Sequence, residues 1–96
     1  MKMNFNNENG NFTISIEGRL DTTTSPEFES FLKSHMDEIN GLIIDCEKLE
    51  YVSSAGLRVL LASQKKFKEN MKLINVCDSV MEVFEITGFV DVLTIE

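Results

Sequence analysis

The chain has 96 residues, 43% of them hydrophobic, which suits one domain with its own core and leaves no room for a second. Its formal net charge is −7, from 16 acidic and 9 basic residues, which argues against nucleic acid and against an anionic membrane, since both call for a basic surface. No stretch reaches the ~18 apolar residues of a membrane span, and Met1 to Phe5 lacks the apolar run of a signal peptide, so a cytoplasmic location is expected.

Met1, Met3 and Phe5 alternate with polar residues, as do Phe12, Ile14 and Ile16. This period of two predicts two half-buried strands, and the Asn9-Gly10 step between them predicts a hairpin turn. Gly18 to Thr24 reads as a polar loop. Ser25-Pro26 then opens a helix, Ser25 as cap and Pro26 at the first helical position. Its apolar stripe is Phe28, Phe31, Leu32, His35, Met36 and Ile39, and Asn40-Gly41 ends it. Leu42-Ile43-Ile44, closed by Asp45-Cys46, is a short continuous apolar run and reads as a strand buried on both faces.

Glu47 to Ser53 reads as a loop. A second helix starts near Ser54 and buries Leu57, Leu60, Leu61, Gln64 and Phe67, while Arg58, Ala62, Lys65, Lys66 and Glu69 face water. Met71 to Val76 is another buried strand. Ser79-Val80-Met81-Glu82 has the capping-box pattern of a third helix, which Gly88 stops. Val92 to Ile95 is a last short strand. Strands that alternate with helices predict a largely parallel α/β sheet. The centre is assigned to Leu42–Cys46 and Met71–Val76, with the hairpin at one side. Ile14, Ile16, Phe28, Leu32, Ile43, Ile44, Leu57, Leu60, Leu61, Ile74, Val83 and Phe84 are expected inside.

The segment Leu49-Glu50-Tyr51-Val52-Ser53-Ser54-Ala55-Gly56-Leu57-Arg58 carries the chemistry. Sites in parallel sheets form at the carboxyl ends of strands, and Ser54 sits where a helix begins, with unpaired N–H groups and a dipole that favours negative charge. Either Ser53 or Ser54 could be the helix cap. A catalytic serine needs an activating base. The only histidine, His35, lies on an apolar helix face, so an enzyme is not expected. Cys46 and Cys77 lack CxxC or Cys/His neighbours, so they read as free thiols rather than zinc ligands. No cofactor pattern of the Walker or GxGxxG kind is present.

On this segment, with Gly18-Arg19-Leu20-Asp21 before it and Ser79 to Phe89 after it, the sequence resembles the anti-sigma factor antagonist family, the STAS domains. The resemblance covers nearly the whole of residues 1–96. It implies a single-domain STAS-like α/β fold, a mixed β-sheet with amphipathic helices mainly on one face. It also implies a switch. In that family a serine kinase that is also the anti-sigma factor phosphorylates a serine in an Asp-Ser-Ser/Thr-Gly-Leu motif. The unphosphorylated antagonist binds the kinase, and a serine phosphatase resets the system. Aligned on Gly56, the phosphoacceptor is Ser54, Ser53 stands at the family's Asp position and Ala55 at its second hydroxyl position. Asp21 supplies the carboxylate of the early loop. The implied partner surface is Asp21, Ser53, Ser54, Ala55, Gly56 and Arg58. The alternative carried by the same resemblance is a STAS subunit of a transport or lipid-trafficking assembly that is not phosphorylated.

Overall fold

In the computed structural model, which describes residues Met1–Glu96, Asn9 and Gly10 make the tight turn their sequence predicts. Both have positive φ, 55° and 92°, as a two-residue type I′ turn demands. At φ 92° any side chain on residue 10 would be strained, and a Cβ there would also crowd the side chain of Asn40. The turn joins β1 (Lys2–Glu8) to β2 (Asn11–Leu20) in an antiparallel hairpin, from Glu8 opposite Asn11 to Lys2 opposite Glu17.

The chain continues as α1 (Ser25–Ser34), β3 (Gly41–Asp45), β4 (Leu49–Val52), α2 (Ser54–Phe67), β5 (Met71–Ile74) and α3 (Asp78–Thr87). The sheet order is β1-β2-β3-β5, with β4 added to the end of β2. All pairings but the hairpin are parallel. This is the expected α/β fold, a mixed five-stranded sheet with three helices.

Register explains where the core sits. Phe12 lies opposite Leu42, which lies opposite Met71; Ile14 lies opposite Ile44, which lies opposite Leu73. Directly paired residues point to the same face, and these six are at most 1% exposed. Phe28 and Leu32 of α1, Leu57, Leu60 and Phe67 of α2, and Val80 and Phe84 of α3 close over that face in one apolar cluster.

Four features differ from the reading of the sequence. First, β3 is not buried on both faces: its burial alternates, and Ile43 is only half-buried, as is Ile74 in β5. The helices cover one face; on the other, Ile43 lies between its cross-strand neighbours Thr13 and Lys72, and Ile74 lies opposite Asp45. Second, β5 is an edge strand, flanked by one bridge from Leu73 to Ile95, which is all that remains of the expected last strand. The interior strands are β2 and β3. Third, Leu49–Val52 is a strand rather than loop, and β2 runs on through Gly18 to Leu20, which is fully buried. Fourth, α2 starts at Ser54 and Gly88 ends α3 as expected, but the other helix ends differ. The cap positions are Thr24 for α1 and Cys77 for α3, with no side-chain cap bond at either, so Ser25 and Ser79 do not cap. α1 stops at Ser34, before Met36 and Ile39. Leu61 and Val83 fall on helix flanks and are half-buried, whereas Val59 is buried between α2 and α1.

Leu60 is 1% exposed at the heart of the cluster. Leu60→Ala is expected to lower the unfolding free energy by about 2–5 kcal/mol, the usual cost of an unfilled buried leucine site. Leu61→Ala, one residue on, should cost about 1 kcal/mol or less. Urea denaturation of both variants measures the difference.

Candidate functional site

The site is built where β2 changes partner. Asn11 to Ser15 pair with β3, and Gly18 to Leu20 pair with β4, with a register irregularity between Gly18 and Arg19. After β3 the chain jogs through Cys46-Glu47-Lys48 and resumes as β4. The Ser53 N–H then donates to the Leu20 carbonyl at 2.9 Å. Leu20 and Val52 are buried side by side. The turn that starts at Asp21 and the helix that starts at Ser54 therefore leave the sheet together, at its carboxyl end.

Ser53 is the cap of α2. Its backbone is extended, and its Oγ accepts from the Gly56 N–H at 3.4 Å. Ser54 is the first helical residue and is exposed. The structure thus separates the two serines: one hydroxyl is turned into the helix, and the other faces water above the free N–H groups of the first turn. Gly56 is buried rather than exposed. A Cβ there would stand 2.7 Å from the Leu20 carbonyl oxygen. Its place in the site is that of a spacer, letting α2 lie directly on the end of β2. Ala55 and Arg58 line a shallow groove of about 320 Å³ between the starts of α2 and α1, whose other wall includes Thr22, Pro26 and Glu29.

Asp21 is bound into its own turn. One carboxylate oxygen accepts from the Thr23 and Thr24 N–H groups at 3.0 and 3.1 Å and from the Thr24 hydroxyl at 3.2 Å. Arg19 Nε lies 3.6 Å from the other oxygen. The Thr24 amide, chiefly, with help from Thr23 and Arg19, holds the carboxyl below its ordinary range against the opposing effect of burial. Asp21 shapes the loop beside the serine, and its carboxylate is committed to that loop.

Arg19 and Tyr51 were not singled out from the sequence. They pair across β2 and β4, and the Arg19 guanidinium lies 4.1 Å from the centre of the Tyr51 ring. Tyr51 is 38% exposed. Together they form an aromatic and cationic ledge beside Asp21. The available signal was the Arg-x-Asp spacing at the end of one strand and a tyrosine two residues before the serine pair.

His35 takes no part in this site. Its ring packs among Phe5, Phe12 and Phe31, with Nδ1 3.0 Å from the Phe31 carbonyl oxygen. The Cys46 thiol is buried, and burial pushes its pKa up to about 12. Cys77, at the start of α3, is free and half-exposed. Its pKa is lowered by the Ser79 hydroxyl and then by the Val80 amide. The arrangement around Ser54 offers an exposed hydroxyl at a helix start, open to modification.

The profile of the STAS domain family matches residues 2–96. The chain is 29% identical over 86 residues to the anti-sigma-B factor antagonist of Staphylococcus aureus, over 85% of this chain and 80% of that protein. Its fold is similar to that of an anti-sigma factor antagonist from Mycobacterium paratuberculosis, with a TM-score of 0.84 and 21% identity over 98% of this chain and 83% of that one. It is also similar to SpoIIAA, a Bacillus cell fate determinant solved in the phosphorylated form, with a TM-score of 0.76 and 15% identity over 99% and 91% of the two chains.

Two outcomes follow from the geometry. Gly56→Ala gains about 1 kcal/mol of helix propensity, but a methyl against a backbone carbonyl forces a shift that costs about 1–3 kcal/mol. The clash should win, lowering the melting temperature and loosening the Ser53–Leu20 bond, as amide exchange at Ser53 would show. Asp21→Asn keeps an acceptor oxygen and removes the charge. Because the folded-state pKa is depressed, the charge contributes stability at neutral pH that is lost as pH falls through that value. The stability difference between wild type and Asp21→Asn should be present at neutral pH and vanish in acid, as denaturation across a pH series measures.

Proposed function

Since the chain belongs to the STAS domain family, the family of anti-sigma factor antagonists, we propose that it is a non-enzymatic partner switch controlled by phosphate on Ser54. The unphosphorylated chain binds an anti-sigma factor that is also a serine kinase. Phosphorylation releases it, and a serine phosphatase restores binding. The observation that carries this reading is the division of labour at α2: Ser53 caps the helix and Ser54 stays exposed.

The replacement of the family's motif Asp by Ser53 fits the same picture. That position is the helix cap, a role Asp and Ser fill equally well. The exchange keeps the cap and removes one negative charge next to the acceptor. Ser54 needs no base of its own, because a kinase brings the groups that take the hydroxyl proton and hold the nucleotide.

Phosphate brings a charge of about −1.5 to −2 and strong acceptor oxygens. At the start of α2 it meets unpaired N–H groups and the positive end of the helix dipole, so the fold tolerates it. The partner does not tolerate it. The surface formed by Ser54, Ala55, Arg58, the Asp21 turn and the Arg19–Tyr51 ledge must be desolvated to bind, and a dianion at its centre opposes that.

Ser54→Ala should take up no phosphate and bind the kinase constitutively. Ser54→Asp should stay folded and bind roughly tenfold or more weakly, a partial effect because one carboxylate carries less charge than phosphate. Ser53→Ala should lose about 1 kcal/mol of helix capping and still be modified. Mass spectrometry after incubation with the serine kinases of the source organism, together with calorimetric titration, tests all three. Phosphate on Ser53, or wild-type modification of Ser54→Ala, overturns the assignment. If neither serine is modified and binding ignores both substitutions, the chain is instead a fixed subunit of a transport or lipid-trafficking assembly.

A further inference from the structure

β1 ends the sheet order, so its outer edge has no partner within the chain. The two-residue Asn9–Gly10 turn makes Glu8 and Asn11 the closing hydrogen-bonded pair of the hairpin. Hydrogen-bonded and non-hydrogen-bonded pairs alternate from there. Lys2, Asn4, Asn6 and Glu8 therefore direct their backbone groups to β2. Met3, Phe5 and Asn7 direct theirs outward, where an unpaired edge is a template for another strand.

We propose that this edge pairs antiparallel with β1 of a second copy of the chain, about a two-fold axis through Phe5, joining the two sheets into one. The charges of the strand are complementary in that register and in no other. Pairing about Phe5 sets Lys2 opposite Glu8 of the second copy at both ends, Asn4 opposite Asn6, and Phe5 opposite its own copy. Outward-facing residues meet outward-facing residues, as an antiparallel ladder requires. A shift of two residues either way sets Lys2 opposite Asn6 or Glu8 opposite Asn4, and leaves strand ends unpaired.

Two further observations support this occupant. Lys2 and Glu8 are exposed and make no ion pair within the chain, whose ion pairs are Arg19–Asp21, Lys33–Glu29 and Lys72–Glu96. Phe5, at the axis, is 49% exposed although its ring touches an aromatic cluster: its centroid is 4.8 Å from that of Phe31, 5.6 Å from that of His35 and 5.9 Å from that of Phe12. Against its own copy it would be covered and would link the two clusters. Cross-strand aromatic and opposite-charge pairs are the contacts that stabilise such a ladder. The interface is small, so the dimer is weak. It lies on β1, away from the carboxyl end of β4, and stands independently of the phosphate switch.

Sedimentation equilibrium on the full chain tests it. Wild type should dimerise with a Kd in the range of roughly 10 µM to 1 mM, as small interfaces do. Lys2→Glu and Glu8→Lys, each placing like charges opposite one another twice per dimer, should raise the Kd about tenfold. The double variant Lys2→Glu/Glu8→Lys should restore it. In a Cys77→Ser background, a mixture of Asn4→Cys and Asn6→Cys chains should oxidise to a disulfide-linked dimer, and neither alone should. Circular dichroism confirms that each variant folds. A wild type that stays monomeric at about 1 mM, a Kd indifferent to the single charge changes, or folded double-swap protein that does not recover the dimer overturns the proposal.

Discussion

The rest of the molecule hangs on β2 being shared. Its first half completes a ladder with β3 and its last residues complete another with β4. The hydrogen bond from the Ser53 N–H to the Leu20 carbonyl closes the second ladder at the point where both strands end. Two loops far apart in sequence are thereby held at one corner of the sheet. The buried pair Leu20 and Val52 anchors that corner in the core, and Gly56 allows α2 to start in contact with it. A polar surface is held still by apolar residues directly beneath it.

The sheet is covered on one face only, and this constraint shapes the remainder. The alternating side chains of β2, β3 and β5 commit one face to the helices. The other face stays polar, apart from Ile43 and Ile74. With one layer of helices, the domain buries enough to fold while leaving most of its perimeter available. Its charge of −7 keeps that perimeter soluble and discourages random association.

Phosphate at the start of α2 would act by surface chemistry rather than by refolding. A helix start accommodates negative charge, so the folded state would have no reason to rearrange. The energetic difference lies in the complex, where charge and bulk must be buried against another protein. A domain of this size, with unfolding free energy on the order of 5–15 kcal/mol, is better served by such a switch than by one that strains its core.

Much of this was legible in the sequence. Asn9-Gly10 encodes its turn through backbone torsion alone. The period-two pattern of Phe12, Ile14 and Ile16 encodes a strand with one buried face. The resemblance around Ser54 singled out two segments, and the structure brings both to one corner of the sheet. What the sequence left open depended on contacts between distant residues. Leu49-Glu50-Tyr51-Val52 has no alternation, its burial running buried, exposed, exposed, buried, and it is a strand only because β2 is there to pair with it. The apolar run of β3 could not reveal that helices cover one face and not two, which left Ile43 half-exposed. Local pattern also could not choose between adjacent serines as the cap. That choice was made when the Ser53 N–H reached Leu20, which fixed the start of α2 and left Ser54 to the solvent. Local periodicity sets torsions and the side a segment buries; the partner it buries against, and the residue left exposed at the seam, are set by tertiary packing.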